Sequence, residues 1–162
     1  MRVTFTIPGK PFGKQRHRVS FKQRRTFNAP ANEAFERTVG EIALPHFQRP
    51  IDGPVRLEID ATFIPAASWS KRKRAEHLHR PHTQKPDCDN VAKAVMDGLN
   101  RIAWADDAQV AEITVRKGWG VVEQTVVHVT PLTEQASDYR DLRNEIMPEA
   151  RNCLGHNHHE DK

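Results

Sequence analysis

The chain has 162 residues, enough for one domain with a core and too few for two independent domains of ordinary size. Lys and Arg (25) outnumber Asp and Glu (21), and the net charge of +4 favours an anionic partner such as nucleic acid. No apolar run approaches the roughly 20 residues of a membrane-spanning helix, and Cys88 and Cys153 are the two cysteines. The composition argues against a membrane protein and a disulfide-stabilised secreted protein, and predicts a cytoplasmic one.

The N-terminal residues predict a strand followed by a basic arm. Val3, Phe5 and Ile7 alternate with polar residues, which is typical of a half-buried strand that ends at Pro8-Gly9. The arm's cations between residues 10 and 25 are Lys10, Lys14, Arg16, Arg18, Lys22, Arg24 and Arg25. Such a segment is either a solvated loop or a phosphate-contacting arm, and the acidic motif downstream favours the second interpretation.

A helix and a strongly patterned strand come next. Phe35, Val39 and Ile42 lie at i, i+4 and i+7, which predicts a helix from about Ala31 to Pro45, with Asn28 or Asn32 near its start. Residues 55–63 alternate strictly between apolar and polar side chains. One buried and one polar face predicts a two-layer arrangement rather than a sheet covered on both sides.

A long polar connection, residues 65–84, carries a second basic segment. Its cations are Lys71, Arg72, Lys73 and Arg74, and they follow Trp69. Three histidines, His77, His79 and His82, follow, but their spacing matches no closed zinc motif and no cysteine joins them. The segment is therefore predicted to be a solvated or DNA-facing loop.

The segment Lys85-Pro86-Asp87-Cys88-Asp89-Asn90, called the acidic motif below, concentrates two carboxylates in this basic chain. Pro86 predicts an extended or turn-like Asp87-Cys88-Asp89, with both carboxylates on one side and Asp89 or Asn90 capping the next helix. The buried stripe of that helix is Val91, Val95, Leu99 and Ile102. Lys93 lies one turn after Asp89, where its ammonium could steady a carboxylate or a phosphate. Asp97 and Arg101 are predicted to form a surface ion pair.

A second acidic pair, Asp106-Asp107, follows this helix. If the strand starting near Gln109 runs back beside the acidic motif, Asp106 or Asp107 would complete a three-carboxylate cluster suited to Mg²⁺ or Mn²⁺. Such pairs also occur in ordinary surface turns, and spacing alone leaves both interpretations open. The flanking basic segments favour the metal site, because DNA must be held while a metal acts on it.

The remaining residues predict two strands and a tail. Residues 111–115 and 125–129 alternate on either side of Gly118-Trp119-Gly120, which predicts a terminal hairpin. The predicted organisation is one α+β domain, residues 1–132, with a mixed sheet of about four strands and helices packed on one face. A polar tail, residues 133–162, follows, with one short helix at 137–147 and a frayed end.

The motifs Lys85-Pro86-Asp87-Cys88-Asp89-Asn90-x-x-Lys93, Asp97-Gly98-Leu99-Asn100 and Trp104-x-Asp106-Asp107 closely resemble the RusA family of Holliday junction endodeoxyribonucleases. The start of the basic arm, Ile7-Pro-Gly-Lys10-Pro-x-Gly-Lys14-x-Arg16-x-Arg18, is also similar to that family. The resemblance covers residues 2 to 130. It implies that Asp87, Asp89 and Asp107 bind Mg²⁺ and that Lys93 joins them in catalysis.

The resemblance also implies a homodimer that cuts two opposed strands of a four-way junction in recombination and repair, encoded by a bacterium or phage and often by a prophage. The predicted DNA contacts are Lys10, Lys14, Arg16, Arg18, Lys71, Arg72, Lys73, Arg74 and Lys85. Two alternatives are a catalytically silent DNA-binding protein of the same fold and a nuclease that prefers flaps or forks.

Overall fold

The structure is a computed structural model, and it describes residues 1–15, 18–20, 25–27 and 29–132, with the backbone alone described at 18–20 and 25–27. The chain divides into Met1–Pro131 and Leu132–Lys162. The predicted tail helix, Arg16 and the side chain of Arg18 lie outside the described residues. None of the helices in the described ranges has the length and apolar character needed to cross a membrane.

The first unit contains both strands and helices. Its strands are β1 (Val3–Pro8), β2 (Arg18–Ser20), β3 (Arg25–Phe27), β4 (Val55–Phe63), β5 (Val110–Trp119) and β6 (Gln124–Pro131). Its α-helices are α1 (Pro30–Ala43), α2 (Lys71–His77) and α3 (Cys88–Leu99). Two short 3₁₀ helices span Leu44–His46 and Asp107–Gln109.

A four-stranded mixed sheet in the order β1-β6-β4-β5 forms one layer. Strand β6 is antiparallel to β1 and β4, whereas β4 and β5 are parallel. The alternation in β4 buries every second side chain, from Val55 to Phe63. These side chains share one core with the buried faces of α1 and α3. The predicted α+β class with a mixed four-stranded sheet is confirmed.

Helices α1 and α3 approach each other closely where Gly98 meets Val39. A Cβ atom built on Gly98 would lie 2.7 Å from the Val39 Cβ, so a larger residue at position 98 would push the helices apart. This contact lies in the last turn of α3 and packs that end of the helix closely against α1.

The predicted terminal hairpin is wrong, because β4 lies between β5 and β6. After β5 the chain crosses the end of β4, where the Gly120 amide donates to the Phe63 carbonyl over 2.8 Å. Alternation shows which face of a strand is buried but does not show which strand lies beside it, so the pattern could not distinguish the two arrangements.

Two basic segments contain structure that the sequence pattern did not predict. The segment after Trp69 forms α2, whose N-cap Ser70 accepts a hydrogen bond from the Lys73 amide over 3.2 Å. This helix is short and has no apolar stripe, so periodicity could not reveal it. In the basic arm, β2 pairs antiparallel with β3.

Candidate active site

The acidic motif forms the start of α3. Asp87 is the N-cap residue, and the Val91 amide donates to its carbonyl over 3.1 Å, so the helix begins at Cys88. The predictions of an extended Asp89 and of a cap at Asp89 or Asn90 are therefore wrong. Asp89 lies in the first helical turn, where a carboxylate interacts favourably with the positive end of the helix dipole. The side chains of Asp87, Asp89 and Lys93 are all exposed.

Lys117 braces the backbone just before Asp87. Its ammonium donates to the carbonyls of Gln84 and Pro86 over 2.8 and 2.6 Å. Its own carbonyl accepts a hydrogen bond from the His82 amide over 2.9 Å. Lys117 thus ties the end of β5 to the segment that leads into α3. The sequence pattern did not indicate this role for Lys117, which directly precedes the predicted turn Gly118-Trp119-Gly120.

The first residues of the basic arm pack against the other side of the motif. The Lys14 amide donates to the Asn90 carbonyl over 2.9 Å. A Cβ on Gly13 would lie 2.4 Å from the Pro86 Cβ, so glycine permits this close approach. The arm and Lys117 together hold the motif from two directions.

The arm is also attached to α1. The buried Asn32 side chain accepts from the Gln15 amide over 2.9 Å and donates to the Gln15 carbonyl over 3.0 Å. Asn32, near the start of α1, thus binds the arm, and the N-cap residue of this helix is Ala29. Phe12 stacks on Phe35 with ring centroids 4.8 Å apart.

The Lys14 ammonium points between two helices. It forms ion pairs with Glu36 of α1, at 3.2 Å, and with Asp97 of α3, and its side chain is 12% exposed. Burial by itself lowers the pKa of Lys14, but the hydrogen bonds and charges of Asp97 and Glu36 outweigh it and raise that pKa above 10.5. This geometry favours a role in joining α1 to α3 over the predicted DNA contact.

The predicted ion pair between Asp97 and Arg101 is wrong. Helix α3 ends at Leu99, and Arg101 adopts a left-handed conformation with φ of 66°. The Asp97 carboxylate instead pairs with Lys14. The i, i+4 spacing predicts an ion pair only if the helix continues through both residues, and α3 ends before Arg101.

The two aspartates of the second acidic pair have different roles. Asp106 caps the 3₁₀ helix by accepting from the Ala108 amide over 2.8 Å. The Gln109 side chain accepts from the Ala105 and Asp106 amides and donates to the carbonyls of Ile51 and Gly53. Asp107 is exposed, and its carboxylate has no hydrogen-bond or ion-pair partner among the described residues. Gln109 therefore anchors a turn that presents Asp107.

The two acidic groups lie at opposite ends of β5. Asp107 precedes the first residue of the strand, Val110, whereas Lys117, near its last residue, contacts Pro86. Seven residues of strand span about 23 Å, so Asp107 lies on the order of 20 Å from Asp87. In the described part of the chain no three Asp, Glu, His or Cys side chains form a group that could hold a metal ion. Chain reversal alone does not assemble the predicted three-carboxylate cluster.

The acidic motif nevertheless fits a divalent ion in its chemistry. Asp87 and Asp89 offer exposed carboxylate oxygens, and a contact of 3.3 Å from the Asn90 amide group to Asp89 is the hydrogen bond seen on these carboxylates within the described residues. Mg²⁺ binds through one or two carboxylates and keeps several waters. One chain thus supplies a partial site, which another oxygen donor would complete.

The predicted DNA-contacting residues outside the arm are mostly exposed. Lys10 and Lys85 are exposed, as are Lys71, Arg72 and Lys73 on α2, whereas Arg74 is half-buried. Arg72 pairs with Glu76 over 2.9 Å, and the Lys73 ammonium lies 4.2 Å from the centre of the Trp69 ring. Helix α2 therefore presents a cationic surface.

His82 does not belong to a solvated or DNA-facing loop. It is 6% exposed and stacks on Phe63, with ring centroids 3.9 Å apart, beside Trp119 at 4.3 Å. Burial, followed by the positive charges of Lys117 and Lys10, lowers the pKa of His82 below 6.5, although its backbone hydrogen bond opposes the shift. The segment from His79 to His82 is held against the end of β5 by backbone hydrogen bonds. The loop prediction is wrong here.

Comparison with known proteins agrees with this architecture and its motifs. Residues 8–130 match the family described as endodeoxyribonuclease RusA. An uncharacterized protein, YqaN of Bacillus subtilis (strain 168), is 33% identical over 125 residues, which cover 71% of this chain and 86% of that protein. The chain therefore belongs to the RusA family and is an endodeoxyribonuclease, a hydrolase that acts on DNA.

Proposed function

We propose that the protein is a Mg²⁺-dependent endonuclease that resolves Holliday junctions in DNA recombination and repair. Membership of the RusA family supports this proposal. The structural observation that carries it is the acidic motif, which presents two exposed aspartates and Lys93 at the start of a helix braced from two sides. Exposed carboxylates beside cationic DNA-binding surfaces suit metal-assisted hydrolysis of a phosphodiester.

The distance between the two acidic groups favours a dimer. Because Asp107 of the same chain is on the order of 20 Å away, we infer that the partner subunit's Asp107 completes the metal site. A two-fold dimer would then contain two equivalent sites, which matches the two equivalent strands of a four-way junction. Dimerisation and metal binding would be coupled by this arrangement.

The residues of the site have distinct roles in the proposed reaction. A divalent ion would supply Lewis-acid activation of water and would neutralise charge on the scissile phosphate. Asp87 and Asp89 hold their oxygens at the start of α3. Lys93, one turn later, places a positive charge where a phosphate or leaving oxygen would lie. Lys10, Lys85 and α2 contact phosphates of the flanking DNA.

A junction-cleavage assay tests the activity. The wild-type protein is expected to cut a synthetic four-way junction in Mg²⁺, and a chelator is expected to abolish cutting. Asp89→Asn should lose at least about 100-fold in rate because the metal loses a charged ligand. Glu41→Gln, an exposed carboxylate on α1, is the matched control and should cut normally. Junction binding without wild-type cleavage would instead identify a catalytically silent DNA-binding protein.

Mixing inactive variants tests the shared site. A heterodimer of Asp89→Asn and Asp107→Asn subunits contains one site without either substitution, so co-expression should restore nicking of one strand. A heterodimer of Asp87→Asn and Asp89→Asn subunits has no intact site and should stay inactive. Failure of the first mixture to nick, with heterodimers present, contradicts sharing of the site between subunits.

Substrate choice is tested by comparing a junction, a flap, a fork and a linear duplex at one salt concentration, because non-specific binding to DNA changes steeply with salt. The junction is expected to be cut fastest. Faster cutting of flaps or forks would contradict junction resolution while leaving nuclease activity intact.

A further inference from the structure

An open groove lies where β4 and β5 end together. These strands are parallel, so Ile64, just after β4, and Val121, just after β5, emerge at the same edge of the sheet. Helix α2 forms the opposite wall. The groove has a volume of about 370 Å³ and is lined by Ile64, Pro65, Lys71, Arg74, Ala75, Leu78, Gly120 and Val121. This volume lies in the range of roughly 300 to 1,000 Å³ that is typical of ligand sites.

The groove exposes apolar side chains that the core does not use. Ile64 is 45% exposed and Val121 is 72% exposed, and the next residue, Val122, is 55% exposed. Single exposed apolar residues are ordinary on protein surfaces, but adjacent ones often mark a binding site. The clustering here indicates a surface that contacts an apolar group.

The charged side chains that line the groove are Lys71 and Arg74, both from α2. Arg72 and Lys73 extend the cationic surface along the same helix. An apolar floor beside cations matches the chemistry of a nucleotide, whose base has apolar faces and whose phosphates are anionic. An acidic peptide would satisfy the cations but would not place a flat apolar group on the floor.

The groove lies close to the acidic motif. Val121 follows Lys117 by four residues, which extend over at most about 14 Å, and Lys117 contacts the Pro86 carbonyl directly. A strand with a scissile phosphate at the motif would therefore reach the groove within several nucleotides, since each nucleotide advances a strand by about 3.4 Å along the axis of a duplex.

We propose that this groove receives a base unstacked at the branch point of the DNA, while Lys71 and Arg74 bind the phosphates on either side of it. The proposal rests on the proposed function and assigns the element of the substrate that the groove recognises. In proteins that bend DNA, the cost of unstacking bases is repaid by the added contacts. Here Ile64 and Val121 supply the apolar surface against which the unstacked base would pack.

The test uses a four-way junction with the fluorescent base 2-aminopurine at its exchange point, because the emission of this base rises when it is unstacked. Binding is measured in Ca²⁺ without Mg²⁺, so that cleavage does not interfere. Wild-type protein is expected to raise the emission. Val121→Ser should lose this rise and bind the junction about fivefold more weakly, by the loss of about half of a buried valine contact, with unchanged affinity for linear duplex. Leu44→Ser is the matched control, since Leu44 is 62% exposed elsewhere on the surface, and it should behave as wild type.

If Val121→Ser raises the 2-aminopurine emission and binds the junction as the wild type does, the proposal is overturned and the groove is left to another ligand. Normal cleavage by the wild type in that case would leave the proposed function standing. A wild-type protein that binds no branched DNA would overturn both. Because Val121 is exposed, thermal unfolding of the variant should match that of the wild type, and an equal loss of junction and duplex binding would contradict recognition of a base.

Discussion

Substitution of Lys14 by methionine distinguishes the role predicted from the sequence from the role found in the structure. The substitution keeps the length and packing of the side chain but removes the ammonium that joins Glu36 to Asp97. Those carboxylates would then face each other across α1 and α3, each about a quarter exposed. Water reaches both carboxylates in part, so the loss is smaller than for a fully buried charge.

The expected loss of unfolding free energy is about 2 kcal/mol, because hydrogen bonds to charged groups contribute roughly 1.5 to 3 kcal/mol. For a domain of this size that loss lowers Tm by about 8 °C. Urea unfolding followed by circular dichroism at pH 7 measures the free energy directly. Because the pKa of Lys14 is raised in the folded state, its stabilisation is complete below about pH 10.5 and is lost as the pH rises further. The difference between wild type and variant should therefore shrink as the pH rises into the strongly alkaline range.

Lys10→Met is the matched control, because Lys10 is exposed in the same arm. It should leave stability unchanged and reduce the slope of log affinity against log salt for DNA binding by about 1, as loss of one phosphate contact does. Lys14→Met should lower stability and leave the salt slope unchanged. Wild-type stability of Lys14→Met together with a reduced salt slope would refute the structural role and restore the predicted DNA contact.

Three further substitutions test how the site is held. Gln109→Ala should lower the free energy of unfolding by about 1 to 2 kcal/mol, because the turn that presents Asp107 loses its hydrogen bonds to Gln109. The cleavage rate should fall further than this loss of stability explains. An unfolding curve equal to that of the wild type would contradict the anchoring role of Gln109. Lys117→Met should raise the Mg²⁺ concentration needed for half-maximal cleavage, because the Pro86 carbonyl loses its hydrogen bond from the Lys117 ammonium. Calorimetric titration with Mn²⁺ should show weaker binding, and unchanged metal binding would contradict the bracing role of Lys117. The lowered pKa of His82 stabilises the fold above about pH 6.5 and less as the pH falls, so His82→Phe should reduce the acid loss of stability measured by urea unfolding; an unchanged pH dependence would contradict burial of a neutral imidazole.

The local patterns that the sequence predicted well are those in which adjacent residues decide the outcome. The alternation of residues 55–63 is the alternation of burial in β4, and the stripe of Val91, Val95 and Leu99 is the buried face of α3. The motif residues also predicted the family, which the match over residues 8–130 confirms. Burial of alternate or helically spaced side chains follows from backbone geometry, so a short window of sequence contains the information.

Tertiary structure decided which partner each charged group meets. Lys14 looks like any other cation of the basic arm, yet the approach of Gly13 to Pro86 and the pairing of Gln15 with Asn32 direct its ammonium between two helices. Asp106 and Asp107 are adjacent and identical in type, but the geometry of one turn makes the first a cap and leaves the second exposed.

The sequence by itself determined the four strands of the main sheet, the helices α1 and α3, the acidic motif and the kind of chemistry, because these depend on residue type and short-range spacing. Only the tertiary structure showed that β5 carries Asp107 away from the motif and brings Lys117 to it. The physical reason is that strand order and direction set distances of about 20 Å, and these depend on contacts between residues far apart in the chain. The same contacts place the groove between α2 and the ends of β4 and β5.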